Sequence, residues 1–239
     1  MRTHDSDHRP GRVRPHPKTP SHSTTTMPPP APSTESAAAQ AVLRKPGTSR
    51  RMDAVGDHKQ RMLRGELYRD NDPDLVAERR HCQQLLDKFN ATAAGEDQQR
   101  RALLADLLGE IGPGSWIMPR LQCDYGSLIR IGANSFLNYD AIILDCAPVT
   151  IGDDVSIGPR AQLLTALHPM EDHELRRQRW ETAAPITIGD NVWLGGGVIV
   201  CPGVTIGANT VIGAGSVVTR DVPERVFAAG NPCRAIREL

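Results

Sequence analysis

ITIGDNVWLGGGVIVCPGVTIGANTVIGAGSVV, residues 186–218, puts an aliphatic residue at every sixth position: Ile188, Leu194, Val200, Ile206, Ile212 and Val218. The residues four places after the first five are Val192, Val198, Val204, Thr210 and Ser216, all small or β-branched. Corner-forming pairs such as Gly189-Asp190, Ala208-Asn209 and Pro202-Gly203 fall between them. A six-residue period held over six units is foreign to ordinary sandwiches and α/β sheets. It is the mark of a parallel β-helix, in which each hexapeptide is one short strand plus a corner and three make a triangular coil. The aliphatic residue points into the prism and the small residue fills beside it. Gly, Asn or Asp accepts the unusual corner dihedrals. Stability comes from stacking coil on coil.

An earlier block keeps the same beat through Ile131, Leu137, Ile143 and Val149, slips by two residues, and resumes at Ile151, Ile157 and Leu163. Then QLLTALHPMEDHEL, residues 162–175, breaks it at His168-Pro169. The beat returns only at Ile188, so a loop of roughly residues 168–185 leaves the coil at that edge. Loops inserted into a solenoid tend to build its binding face.

The rest of the chain divides by composition. Nine of its nineteen prolines lie in residues 1–50, which carry a net charge of +5 against −5 for the remainder. Residues 1–52 therefore read as a disordered Pro/Ser/Thr-rich tail, with Met52 as an alternative start of the product. Residues 53–111 read as a small helical cap, and residues 112–239 as the coil with its inserted loop and C-terminal segment. In the cap, Asp72 or Asp74 can cap a helix opened by Pro73, with Leu75, Arg79, Cys82, Leu85, Leu86 and Phe89 at helical spacing. A second helix over Gln98–Leu108 would stop at Gly109. The fold class expected is thus mainly β: a hexapeptide-repeat β-helix with a helical cap.

Bulk properties exclude several classes. No basic stripe interleaves with aromatics, which argues against nucleic acid. No run of 18 apolar residues offers a membrane span, and the N-terminus has no secretory apolar run. Five cysteines without a CxxC pair suit free thiols in the cytoplasm better than disulfides or structural zinc.

Seven stretches in order resemble a known family: GELYRD (65–70), CDYG (123–126), FLNYD (136–140), TALHP (165–169), ITIGDNVWLGGG (186–197), PGVTIGANTVIGAGSVVTRDVP (202–223) and AGNPCRAIREL (229–239). Together they resemble the maltose and galactoside O-acetyltransferases, with nodulation-factor acetyltransferases similar. The resemblance spans about residues 58–239. It implies a left-handed coil, a homotrimer with active sites between adjacent subunits, acetyl-CoA as donor and a sugar or glycoside as acceptor, with no metal.

Acetyl transfer from a thioester to a hydroxyl needs a base, because an alcohol is a poor nucleophile near neutral pH; histidine is best matched to that pH. Six of the eight histidines precede residue 82, leaving His168 and His173 in the coil region. The resemblance implies His168 as catalytic base; on position alone it is equally an exposed loop histidine, and His173 stays a solvated loop residue. It also implies Asn138 in the site, Asp70 and Asp124 as acceptor contacts, and Gly196 as a backbone N–H donor to the thioester carbonyl. Ala214, Thr219, Arg220, Arg234 and Arg237 match further coenzyme contacts. Lysine is usual at position 220, and Arg220 keeps its charge. Without the resemblance, Asp70 is a helix-terminal charge, Asp124 a turn former before Tyr125-Gly126, and Arg234 and Arg237 a solvated tail face. Trp180 or Trp193 offers a ring for sugar stacking, with packing under the loop the other reading of Trp193, and Glu181 falls in a loop that shapes the acceptor pocket. Three alternatives stay open. One is a non-sugar acceptor such as an antibiotic, and one is a non-catalytic scaffold. The third is a covalent route through Cys146 or Cys201. A zinc hydrase on the same coil would need about three histidine ligands.

Overall fold

The computed structural model describes residues 57–239; the tail 1–52 and Met52 lie outside the described residues. Among the described residues four helices occur: α1 (Asp57–Leu63), α2 (Pro73–Asn90), α3 (Asp97–Leu107) and α4 (His173–Arg177). Everything else of regular structure is short strand.

The strands stack into three parallel faces of a prism. Face one runs through 110–111, 129–131, 149–151, 186–188 and 205–206. Face two runs through 116–117, 136–137, 156–157, 193–194 and 211–212, then Val226–Gly230 and the antiparallel Cys233–Glu238. Face three runs through 121–123, 141–144, 162–164, 199–200 and 217–218. The register matches the hexapeptide reading: Ile131, Ile151, Ile188 and Ile206 are mutual partners up face one. Leu137, Ile157, Leu194 and Ile212 do the same on face two. All eight are essentially sealed from solvent and belong to one continuous core. Burying each such side chain is worth about 1.5–3 kcal/mol, which is how a chain with so few aromatics holds a core.

Corners work as the composition suggested. Asn134, Asp154, Asn191 and Asn209 stack at one corner, all with φ between 54° and 59°. Left-handed backbone costs Asn and Asp less than other non-glycine residues. Their side chains also pair between coils, as in Asn191 Nδ2 to Asn209 Oδ1 at 2.9 Å.

The cap plugs the open end of the prism. Cys82, Leu85, Leu86 and Phe89 of α2, with Leu104 and Leu107 of α3, join the same core as Ile117, Leu121 and Ile129. Asp72 caps α2 by accepting the Asp74 N–H at 3.0 Å. Asn90 then seals an otherwise bare sheet edge: its Nδ2 donates to the Leu121 carbonyl and its Oδ1 accepts the Leu121 N–H, both at 2.9 Å. Two expectations shift. α3 ends at Leu107, because Leu108 turns extended (ψ 150°) to feed the first coil strand. Arg79 is not a core position; it lies on the α2 face that reaches Asp70 and Tyr125.

Candidate active site

The coils are not all the same length. Ile111, Ile131 and Ile151 pair in register twenty residues apart, whereas Ile188 and Ile206 pair eighteen apart. The extra residues of the long coils all lie at the corner after face three, which is therefore enlarged. Asp124 and Tyr125 occupy it in one coil, and Asp145, Cys146 and Ala147 in the next. In the third the chain leaves through Thr165 towards His168. The two-residue slip in the sequence is the widened corner.

Buried hydrogen bonds hold this corner. Asp145 Oδ1 accepts the N–H of both Asp124 (3.0 Å) and Tyr125 (2.9 Å). Its Oδ2 is buried without a partner. Burial pushes the Asp145 carboxyl up to about 7, against the pull of those two backbone donors. Cys146 Sγ donates to Asp124 Oδ2 at 3.4 Å. Burial also raises the Asp124 carboxyl, and the Cys146 thiol lowers it. Thr165 Oγ1 donates to the Leu144 carbonyl at 2.6 Å and accepts the Ala147 N–H at 3.0 Å.

The inserted loop is built rather than loose. Ala166–Leu167 pairs antiparallel with Trp180–Ala183, and the Ala184 N–H closes the neck on the Thr165 carbonyl at 2.9 Å. Asp172 caps α4 by accepting the Glu174 and Leu175 N–H groups. On its other edge the strand Trp180–Ala183 takes Tyr68–Arg69 of the cap, so cap and loop share one three-stranded sheet. Strand alternation then sorts the side chains. On one face Tyr68 Oη donates to Glu181 Oε2 at 3.1 Å. On the other, Trp180 lies under the guanidinium groups of Arg69 (4.6 Å) and Arg61 (5.3 Å) and beside the His58 ring.

Glu181 Oε1 stands 3.9 Å from His168 Nδ1. This is electrostatic contact rather than a hydrogen bond. Burial raises the Glu181 carboxyl, and the Tyr68 hydroxyl opposes that rise. His168 is 58% exposed at its side chain, on the rim of an open cavity of about 380 Å³ lined by Asp70, His168, Arg176, Arg179 and Glu181. Arg79 ties the floor together, with Nη2 donating to the Asp70 carbonyl at 2.7 Å and Nη1 to Tyr125 Oη at 3.3 Å.

A second cleft of about 430 Å³ lies elsewhere, on the corner after face two, with Asn138, Pro159, Trp193, Gly196, Ala214 and Phe227 among its lining. Its backbone is distinctive. Tyr139, Pro159, Gly196 and Ala214 occupy equivalent places in successive coils. The Tyr139 N–H is capped by Asn138 Oδ1 at 2.8 Å, and Pro159 has none. The N–H groups of Gly196 and Ala214 donate to no backbone carbonyl among the described residues, although Gly195, Gly197, Gly213 and Gly215 on either side of them all donate, Gly215 to the Gly196 carbonyl at 2.9 Å. Two unpaired N–H groups therefore line one cleft, where a ligand's acceptors can satisfy them.

The three consecutive glycines here differ. A Cβ on Gly195 would stand 2.5 Å from the Ala214 nitrogen of the next coil, and Gly197 needs φ 68°. Gly196 has neither constraint: a Cβ there would come no closer than 3.5 Å, to Pro159.

Comparison with known proteins agrees with these features. Residues 61–112 match the maltose acetyltransferase hexapeptide capping motif, and residues 185–220 the bacterial transferase hexapeptide (six repeats). The galactoside O-acetyltransferase of Escherichia coli K12 is 43% identical over 180 residues, covering 75% of this chain and 88% of that protein. The chain belongs to the maltose and galactoside O-acetyltransferase family. A maltose O-acetyltransferase from Clostridium difficile 630 superposes with a TM-score of 0.75 at 47% identity, covering 76% of this chain and 97% of that one. A hexapeptide-repeat acetyltransferase of Vibrio cholerae, crystallised with acetyl coenzyme A, gives 0.70 at 40% identity over 75% and 97%. The prism is thus the left-handed parallel β-helix of these acyltransferases.

Within this acetyltransferase, the residues expected to form one site fall into two groups on the chain. His168 and Asp70 share the first cavity, and Asp124 is joined to it through Arg79 and Cys146. Asn138, Gly196 and Ala214 share the second cleft, so a single chain does not put Asn138 in the cavity of His168. Arg237 leans on the second cleft, its guanidinium 5.9 Å from the Phe227 ring. Arg234 sits on the same final strand and donates to the Cys233 carbonyl. Thr219 and Arg220 are exposed just past the last coil strand of face three, outside both lining sets. Trp180 is occupied by its arginines and does not line the first cavity. Trp193 is 57% exposed and lines the second cleft, so it does not pack under the loop. Sequence reading missed Tyr68, Arg79 and Asp145. Only Asp145 left a signal: a carboxylate inside the apolar run IILDCAPV, at the slip.

Proposed function

We propose that the protein transfers an acetyl group from acetyl-CoA to a hydroxyl of a sugar or glycoside by direct attack. The observation that carries this reading is the division of the chain into two complementary half-sites. One holds a histidine backed by a carboxylate, and the other a cleft with two unpaired N–H groups. A homotrimer joins them, the His168 cavity of one copy facing the cleft of the next.

In that arrangement the acceptor hydroxyl lies at His168, with Asp70 and Asp124 accepting hydrogen bonds from neighbouring hydroxyls. Glu181 favours a proton on the Nδ1 it faces, which leaves Nε2 to receive the hydroxyl proton as the oxygen attacks the thioester carbon. The carbonyl oxygen gains negative charge and takes a hydrogen bond from the unpaired Gly196 N–H. As the tetrahedral centre collapses, the C–S bond breaks and the imidazolium returns its proton to the departing CoA sulfur. Asn138 stands where the cleft opens towards this centre. Ala214, Thr219, Arg220, Arg234 and Arg237 bind the rest of the donor, the arginines as fixed cations for its phosphates.

Direct transfer is favoured over a thiol route by the state of the cysteines. Burial pushes the Cys146 thiol up to about 12, and its hydrogen goes to Asp124. Cys201 is likewise raised by burial. We also read residues 1–52 as a tail, 53–111 as the cap and 112–239 as the coil. The free thiols suit a cytoplasmic setting, and no described helix is long and apolar enough to cross a membrane. The deciding experiment measures CoA thiol release from acetyl-CoA with a panel of sugars, glycosides and small antibiotics. Acceptor-dependent release with a sugar supports the reading; release with an antibiotic alone replaces the substrate class, and none at all favours a scaffold.

A further inference from the structure

We infer that Tyr68, carried by the cap, is a positioning residue for the catalytic base, acting on His168 through Glu181. The inference rests on the reading of His168 as base and adds a residue from outside the coil to its support.

Four observations carry it. Tyr68 and Glu181 are direct partners in the antiparallel pair between cap and loop, so their side chains share a face. The Tyr68 hydroxyl donates to Glu181 Oε2 at 3.1 Å, and it is the one side-chain donor hydrogen-bonded to that carboxylate among the described residues. The other oxygen, Oε1, is the one that faces His168 Nδ1. Tyr68 itself is sealed from solvent, packed with Met62, Leu75, Tyr125 and Cys146, so its hydroxyl has a fixed place from which to act. The reverse side of the same strand pair is pinned as well. There Trp180 is held by Arg61 and Arg69, and the Arg69 N–H donates to His58 Nδ1 at 3.1 Å.

The physical consequence is that Glu181 is aimed rather than merely present. A half-buried carboxylate tends to take up a proton, and burial raises this one. The phenol hydrogen bond favours its anion and fixes which oxygen is left for the imidazole. Without it, Glu181 is free to turn, and the preference for a proton on His168 Nδ1 weakens. The cap then does more than plug the prism: one residue of it reaches the base of the acceptor cavity.

The test is Tyr68→Phe, which keeps the buried ring and removes one oxygen, alongside Glu181→Gln and the double variant. Turnover is followed by CoA release from acetyl-CoA with maltose, or methyl β-galactoside, as acceptor. Loss of a hydrogen bond to a charged group predicts kcat down by about ten- to a hundredfold, with the KM for acetyl-CoA unchanged. The double variant should be no slower than the slower single one, because both act through the same carboxylate. A ¹⁵N NMR reading of the His168 tautomer needs no acceptor. It should show the Nδ1–H form in the native protein and a mixture in Tyr68→Phe. Unchanged kcat, an unchanged tautomer, or losses that multiply in the double variant would each overturn the inference. Should Tyr68→Phe not fold, Glu181→Gln decides by the same kcat and tautomer readings. His168→Ala, run in parallel, tests the underlying reading separately: if it turns over like the native protein, the base assignment fails whatever Tyr68 does.

Discussion

The coils of residues 186–218 and those of residues 110–165 obey the same hexapeptide rule and do different work. The later coils are eighteen residues long, and they offer the second cleft the unpaired N–H groups of Gly196 and Ala214 beside the Trp193 ring. The earlier coils are twenty residues long, and their widened corner is filled with carboxylates, a thiol and a phenol whose hydrogen bonds are nearly all made. Regular stacking repeats a backbone geometry and so suits a long donor lying along the coils. Irregularity frees side chains to converge, which suits a compact acceptor. On the proposed reading, the repeats serve one substrate and the exceptions the other.

Substitutions in each region can break or sharpen this contrast. The largest effect is expected at the exception: His168→Ala should lower kcat by roughly a thousandfold, the scale of a lost general base. Its melting temperature and its mass by light scattering should match the native protein. On the repeat side, Gly196→Pro should cost about a hundredfold in kcat by removing one oxyanion donor. The fold should survive, since Pro159 already occupies the equivalent place one coil earlier. Gly196→Ala, which keeps the N–H and meets nothing closer than 3.5 Å, is the control; equal losses in both would remove the N–H from the argument.

A third test separates stability from chemistry at the widened corner. Asp145 holds its proton more tightly folded, at about 7, than at its ordinary 3.8. Folding therefore binds a proton between those values, and the contribution of Asp145 to stability falls as pH rises from about 4 to about 7, then stays level. Chemical denaturation across that range should show Asp145→Asn losing this slope, a difference on the order of a few kcal/mol. Parallel curves for the two proteins would mean that the carboxyl is ionised throughout. The smallest effect is expected at Trp193→Ala in the regular coils: a rise of roughly three- to tenfold in the KM for acetyl-CoA from lost ring contact, with kcat unchanged.

Periodicity alone was enough to read the prism. An aliphatic residue every sixth position has one stable answer, because only a stacked triangular coil buries all of them at once. Asn134, Asp154, Asn191 and Asn209 were legible for the same reason, since each sits where the backbone turns left-handed. The candidate site was legible in part: His168 marks the break in the beat and Gly196 lies in a triple glycine, while the roles proposed for them came from the resemblance. Tyr68 carries no periodic signal; it meets Glu181 because a cap strand pairs with a loop strand 113 residues away. From sequence Glu181 was one residue of a loop expected to shape the acceptor pocket; the pairing turns it towards His168. The helical period counted Arg79 with the core, whereas it reaches Asp70 and Tyr125.

Sequence by itself therefore determined the coil, its register and the point where the loop leaves, because hydrophobic burial every six residues is a local rule repeated along the chain. Tertiary structure decided which polar side chains meet. Those contacts join Tyr68 of the cap, Asp145 of the second coil and Glu181 of the loop, and only the closing of cap and loop over one widened corner brings them together.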